Sequence, residues 1–254
     1  MAISDDTWAG VILGAILGSI VIPLTYFGLR QALSWWRSTR PANRLLGQIV
    51  HPNEPCKIFI RDLVLDKNAA IWSVEPRVGI GRVPNVMELW GDVDGKAVAN
   101  IFNVLGRVGK SHNVNIVRMS EDVGEWNAHI FVIGAQSQKS FDFYRLMKNV
   151  VYRVDVDNII DNRDEQQVPR EDEYGYGIVM KASNPFYSDG DGVAFLIGGY
   201  GALGTAAASY YFREHYQSLG SEFGTDCFGI VVRARVSAGE QAVERVREWD
   251  RRIS

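Results

Sequence analysis

Residues 192 to 212, Gly192-Val-Ala-Phe-Leu-Ile-Gly-Gly-Tyr-Gly-Ala-Leu-Gly-Thr-Ala-Ala-Ala-Ser-Tyr-Tyr-Phe212, decide the fold. The run from 192 to 197 is short and apolar, as a buried strand is, and the segment from Thr205 to about Leu219 is long enough for a helix. Between them Gly198, Gly199, Gly201 and Gly204 form a turn. The same grammar extends outward. Residues 176 to 182 read as a strand joined to this one through Asn184-Pro185 and Ser188-Asp-Gly-Asp-Gly192, both turn signals. Residues 228 to 236 read as a last strand and 240 to 252 as a charged closing helix. Upstream, an apolar run from Ile58 to Leu65 suits a strand, 66 to 92 lack a period, and 95 to 108 carry helical spacing through Ala97, Val98, Ile101, Phe102, Val104, Leu105 and Val108. Strands are expected at 114 to 117 and 129 to 133, then a helix at 141 to 150. The acid-rich stretch from 155 to 176 reads as a solvated excursion. Strands alternating with helices predict an α/β fold: a Rossmann-like three-layer domain with a mostly parallel sheet.

The N-terminal part is of another kind. No charge occurs from Ala9 to Leu29, after which Arg30, Arg37, Arg40 and Arg44 follow. Twenty-one residues at 1.5 Å each span roughly 32 Å, matching a hydrocarbon core of about 30 Å. Trp8 and the pair Trp35-Trp36 would then mark the two headgroup layers. The expectation is a single transmembrane helix within residues 1–44 and a cytoplasmic ligand-binding domain over 45–254, with residues 41 to 55 as a linker. The arginines place the N-terminus outside and the domain on the cytoplasmic side of the inner membrane. Gly10, Gly14 and Gly18 fall on one helix face, where a second backbone can approach closely, so the expected partners are membrane lipid and further copies of the chain, through the helix and the soluble domain.

Glycines at a strand-to-helix turn let the backbone approach a bound group, and the free N–H groups of the helix start favour an anion such as phosphate. Candidate ligand-binding residues are therefore Gly198, Gly199, Tyr200, Gly201, Gly204 and Thr205, the last as a cap or a hydroxyl donor. The other reading of these glycines is close strand–helix packing. The turn Gly134-Ala-Gln-Ser-Gln-Lys-Ser140 adds Gln136 and Ser137, with Ser140 also placed to cap the following helix, and Asp62 stands where it meets either a ribose hydroxyl or a loop amide. The pattern lacks the lysine of a Walker loop. Gly199-Tyr-Gly-Ala-Leu-Gly204 matches the dinucleotide fingerprint, with Glu222 at about the right distance for its acid, but it falls near the end of the domain and not on its first strand.

Phe195-Leu-Ile-Gly-Gly-Tyr-Gly201 with Gly204-Thr205 resembles the glycine-rich turn of the LOG phosphoribohydrolases and their SLOG relatives, over about ten residues. Those enzymes have a proline before the glycines and a glutamate soon after the threonine, where this chain has Ile197 and Ala206-Ala-Ala208. The resemblance implies a nucleotide sensor of the kind fused to membrane helices in bacterial antiphage defence, where ligand binding triggers an attached effector.

Composition bounds the rest. In 254 residues, 46% hydrophobic and 22% charged, the net charge is −3, and removing the first 44 leaves −5, because they hold four arginines against Asp5 and Asp6. That excludes a broadly basic nucleic-acid surface, so a local backbone site must carry any phosphate-bearing ligand. Cys56 and Cys227 are too few for a disulfide framework, and no zinc-like spacing or metal site is expected. His51, His112, His129 and His215 have no nucleophile at a recognisable spacing, so catalysis is left open. The reading is a membrane-anchored sensor-effector that binds a nucleotide-derived ligand and acts on the membrane by oligomerisation. The alternative is a membrane-tethered nucleotide or nucleotide-sugar hydrolase or transferase.

Overall fold

A computed structural model of the protein describes residues 22–60, 92–118, 126–155, 158–188, 190 and 192–253. The described residues begin with α1 (Ile22–Leu46) and a 3-10 turn (Gly47–Val50), then β1 (Cys56–Ile60), α2 (Asp92–Arg107), β2 (Val114–Arg118), β3 (His129–Ile133) and α3 (Gln138–Leu146). A hairpin of β4 (Tyr152–Asp155) and β5 (Asn158–Asp161) precedes β6 (Tyr174–Asn184), β7 (Gly192–Gly199), α4 (Gly201–Phe223) and β8 (Cys227–Arg235), and two short strands, β9 (Val243–Arg245) and β10 (Arg251–Ile253), complete the order.

The main sheet has the order β10-β8-β6-β7-β3-β1-β2, with β9 also on β8. Its central run β2-β1-β3-β7 is parallel, as crossovers through helices require, while β6, β8, β9 and β10 add an antiparallel wing. The fold is thus mixed α/β, and the expected parallel strands form its centre. In-register rows such as Ile58, Phe131 and Phe195 point to one face, and Phe59, Val132, Leu196 and Met180 to the other. Both faces are buried, which is why these strands read as continuous apolar runs instead of alternating ones.

The first face packs under α1, α2 and α4, with Phe131 stacked on Phe195 at 5.0 Å and Phe212 of α4 edge-on to Phe131 and tilted against Phe195. Arg213 and Asn100 join α2 to α4 through a chain of side-chain hydrogen bonds that ends on Ser209. The second face packs under α3 and the β4–β5 hairpin, with Trp249 at its edge. Here Gly229 makes room for Tyr152: a Cβ at 229 would lie 2.7 Å from the Tyr152 ring.

Three expectations are corrected. The presumed linker is helical as far as Leu46, with Pro41 inside α1, and Ala42, Leu45, Leu46 and Ile49 are wholly buried. A proline removes one helical hydrogen bond, and packing against α4 outweighs that local signal. The acidic stretch is not merely solvated, since Asp161 at the end of β5 is fully buried. The closing helix is absent: β9 and β10 pair along the edge of β8, where an unpaired strand needs partners more than the charged segment needs helix. Among the described residues no helix is long and apolar enough to cross a membrane. Most of the expected span, with Gly10, Gly14 and Gly18, lies outside the described residues.

Asp161 holds the C-terminal segment in place. It accepts hydrogen bonds from Arg163, at 2.9 and 3.1 Å, and from Arg251 of β10 at 2.6 Å. Burial alone would raise its carboxyl, but the two guanidinium groups outweigh this and hold it at about 2. Tyr152 adds a hydrogen bond from its hydroxyl to the Trp249 carbonyl. Asp161→Asn leaves two guanidinium groups facing a neutral amide and is expected to cost about 3 kcal/mol in chemical denaturation. Because its folded value lies below the unfolded one, the wild-type contribution is complete above about pH 4 and disappears as pH falls toward 2, a dependence the variant should lack.

Candidate functional site

The carboxyl ends of β3 and β7 lie side by side, and the helices that follow them part to opposite faces of the sheet, α3 to one and α4 to the other. This is the geometry of a topological switch point, where α/β sheets open a crevice. The two glycine turns singled out in the sequence meet there. A Cβ on Gly198 would lie 2.4 Å from the carbonyl carbon of Gly134, so the turns interlock backbone to backbone.

Packing accounts for most of the glycines after β7. A Cβ at Gly199 would lie 2.4 Å, and one at Gly204 2.0 Å, from the Tyr176 carbonyl oxygen, and one at Gly177 of β6 would lie 2.3 Å from the Gly204 carbonyl oxygen. The start of α4 therefore rides directly on the β6 backbone, and the Tyr200 N–H donates to the Tyr176 carbonyl at 2.8 Å. Gly201 is different: its φ is +64° and nothing lies near its missing side chain. Here glycine serves a left-handed turn that opens outward.

Thr205 is buried, and its hydroxyl turns back to the Gly201 carbonyl at 3.4 Å, so it does not cap the helix. Indeed α4 has no side-chain cap. Its first N–H groups keep the partial positive charge of a helix start. By contrast, the start of α3 is capped from within. Ser137 accepts the Ser140 N–H at 3.2 Å, and the Ser140 hydroxyl donates to the Gly134 carbonyl at 2.7 Å. The capping reading of this turn is the one its geometry supports, with Ser137 as the cap. Gln136 is exposed beside it. Lys139 does not face the edge as a phosphate ligand would. Its ammonium sits 4.7 Å from the Phe59 ring centre and 4.9 Å from that of Trp126. Asp62 lies outside the described residues.

Beside the uncapped helix start is a small cleft lined by Ile159, Val168, Arg170, Tyr176 and Tyr200. The Arg170 guanidinium lies 4.2 Å above the Tyr200 ring. An aromatic face, a cation and a helix start together suit a ligand that is planar at one end and anionic at the other. Sequence reasoning had named Tyr200 but not Arg170 or Tyr176. Arg170 is embedded in acidic residues that read as solvent-facing, and Tyr176 is brought in only by the pairing of β6 with β7.

The dinucleotide fingerprint is not completed. Glu222 lies at the far end of α4, bound through both oxygens to Arg245 at 2.6 and 2.7 Å, and the helix between is roughly 34 Å long. Among the described residues no group of three His, Cys, Asp or Glu side chains gathers as a metal site. His129 is sealed in the core, and His215 packs on Tyr211. No family model matches the chain, and no curated protein matches it.

The two kinds of glycine predict two outcomes. Gly204→Ala, which drives a methyl into a backbone oxygen, should cost more than about 3 kcal/mol in urea denaturation or prevent folding. Gly201→Ala meets no neighbour and should cost only about 1 kcal/mol, from its positive φ.

Proposed function

We propose that the protein is a membrane-anchored sensor-effector whose α/β domain binds a nucleotide-like, phosphate-bearing ligand at the start of α4 and passes the binding event to its N-terminal helix. The observation that carries this reading is the position of α4. Tyr200, which precedes its first turn, lines the cleft, and its last turns seat α1: a Cβ at Gly220 would lie 1.9 Å from the Pro41 carbonyl oxygen. One continuous helix of 23 residues thus runs from the ligand edge to the root of the anchor. Around that root Ala42, Leu45 and Leu46 are buried, whereas Leu24, Tyr26, Phe27 and Leu29 nearer the N-terminus are each more than 60% exposed. An apolar helix surface of this kind is expected against lipid or a second copy of the helix.

Isothermal titration of the full-length chain with ATP, NAD and inorganic phosphate tests the ligand. Binding of a phosphate-bearing ligand should weaken about tenfold or more in Gly201→Asp, and similarly in Arg170→Ala. Aspartate tolerates a positive φ, and a negative charge at a helix start stabilises the helix, so Gly201→Asp opposes the anion without unfolding the site. Failure of all three ligands to bind would remove the sensor reading. Turnover of ATP or NAD would favour the tethered hydrolase or transferase instead.

A further inference from the structure

At the opposite edge of the sheet from the glycine turns, a short strap, residues 51–55, joins α1 and its 3-10 turn to β1. A strap this short forms no secondary structure, so its carbonyls need other donors. The buried ammonium of Lys110 takes the carbonyls of His51, Pro52 and Glu54 at 2.7, 3.2 and 2.5 Å, and the Asn113 amide takes those of Pro52 and Asn53. The Glu54 carboxylate accepts the hydroxyl of Tyr187, from the turn between β6 and β7.

Beneath these groups lies His129, fully buried, its ring 4.5 Å from that of Tyr187. Its Nδ1 accepts the N–H of Val193, at the start of β7, at 3.0 Å. Nδ1 therefore carries no proton, and in the neutral ring the proton is on Nε2. Nε2 has no hydrogen-bond partner and stands 3.7 Å from the Glu54 carboxylate, too far for a hydrogen bond. A second proton can enter only at Nδ1, where it would confront the Val193 N–H, two donors with no acceptor between them.

We propose that His129 is a proton-operated latch: neutral, it holds the start of β7 and Tyr187 against the strap that roots α1, and on acidification it lets Val193 go. The groups facing it are Glu54 and Tyr187, with Lys110 and Cys56 behind the strap. Burial, opposed by the Glu54 carboxylate and reinforced by Lys110, lowers the His129 value below its usual 6.5. The Cys56 thiol is pushed up to about 12 by burial and stays neutral throughout. With the closed-state value below the open-state one, the open form binds the extra proton. Acid therefore favours opening progressively below about pH 6.5, and pH has no effect through this group above it.

The test is amide hydrogen exchange of Val193 in the full-length chain, read by NMR and corrected for the intrinsic pH dependence of exchange, with Val231 in β8 as a reference. Protection of Val193 should fall about tenfold for each pH unit below about 6.5, until the closed form itself takes up the proton, while Val231 stays constant. His129→Asn places an amide oxygen where Nδ1 stood and cannot titrate, so its protection should not change with pH. Glu54→Gln removes the charge that favours the imidazolium and should move the transition to lower pH. Tyr187→Phe frees the carboxylate to face the ring and should move it to higher pH. A flat wild-type profile, an unchanged pH dependence in His129→Asn, or a midpoint indifferent to Glu54→Gln would each overturn the latch. Should His129→Asn fail to fold, the opposed shifts in the other two variants still decide it.

Discussion

Backbone resting on backbone sets the position of α4, and most of the molecule is arranged around that contact. Gly199 and Gly204 bring the first turn of the helix against Tyr176 and Gly177 of β6 with no side chain between them. A second contact of the same kind, Gly220 on Pro41, fixes the other end against α1. Between these points α4 contributes Ala208, Tyr211, Phe212, Tyr216 and Leu219 to the core on one face of the sheet. Side chains at either contact would lift the helix by several ångströms and open that core. The glycine turn is therefore first a packing device. Only Gly201, facing outward, is left for a ligand to exploit.

Buried charge is handled in a consistent way. Three buried ionic groups are met by donors or acceptors suited to their sign, as interior charges must be. Asp161 has two arginines, Lys110 has three carbonyls of the strap, and Lys181 donates to the carbonyls of Gly224 and Thr225 where α4 ends. Burial brings the Lys181 ammonium down to about 8, yet its place at a helix C-terminus, where carbonyls point outward unpaired, keeps a cation favourable there. These groups tie remote segments together: the C-terminal strands to the hairpin, the strap to the end of α2, and the end of α4 to β6. His129 differs from these three, because one of its nitrogens is sealed in without a partner.

The strands flanking the glycine turn were legible in the sequence almost to the residue. The strand expected at 129 to 133 is β3 as found, and the one from 192 to 197 is β7 with two glycines added. Both are short apolar runs bounded by strong turn signals, so local information suffices. That the 134 and 198 turns interlock was not legible, because it depends on the pairing of β3 with β7. The charged C-terminus was not legible: its alternation of Glu and Arg suits a helix surface, and nothing local reveals that β8 would otherwise be an unpaired edge. Arg170 and Tyr176 escaped for a similar reason, since they come to Tyr200 across a hairpin and an antiparallel pairing.

The sequence by itself determined the alternation of strands and helices, the glycine turn and its neighbour at the same sheet edge, because strand period, glycine and apolar runs act over a few residues. Only the tertiary structure decided that Pro41 sits within a helix, that Asp161 and His129 are sealed in, and which glycines serve packing and which faces outward. Each of those outcomes depends on a segment more than 20 residues away in the chain, and burial or close approach to such a segment leaves no mark on the residues next door.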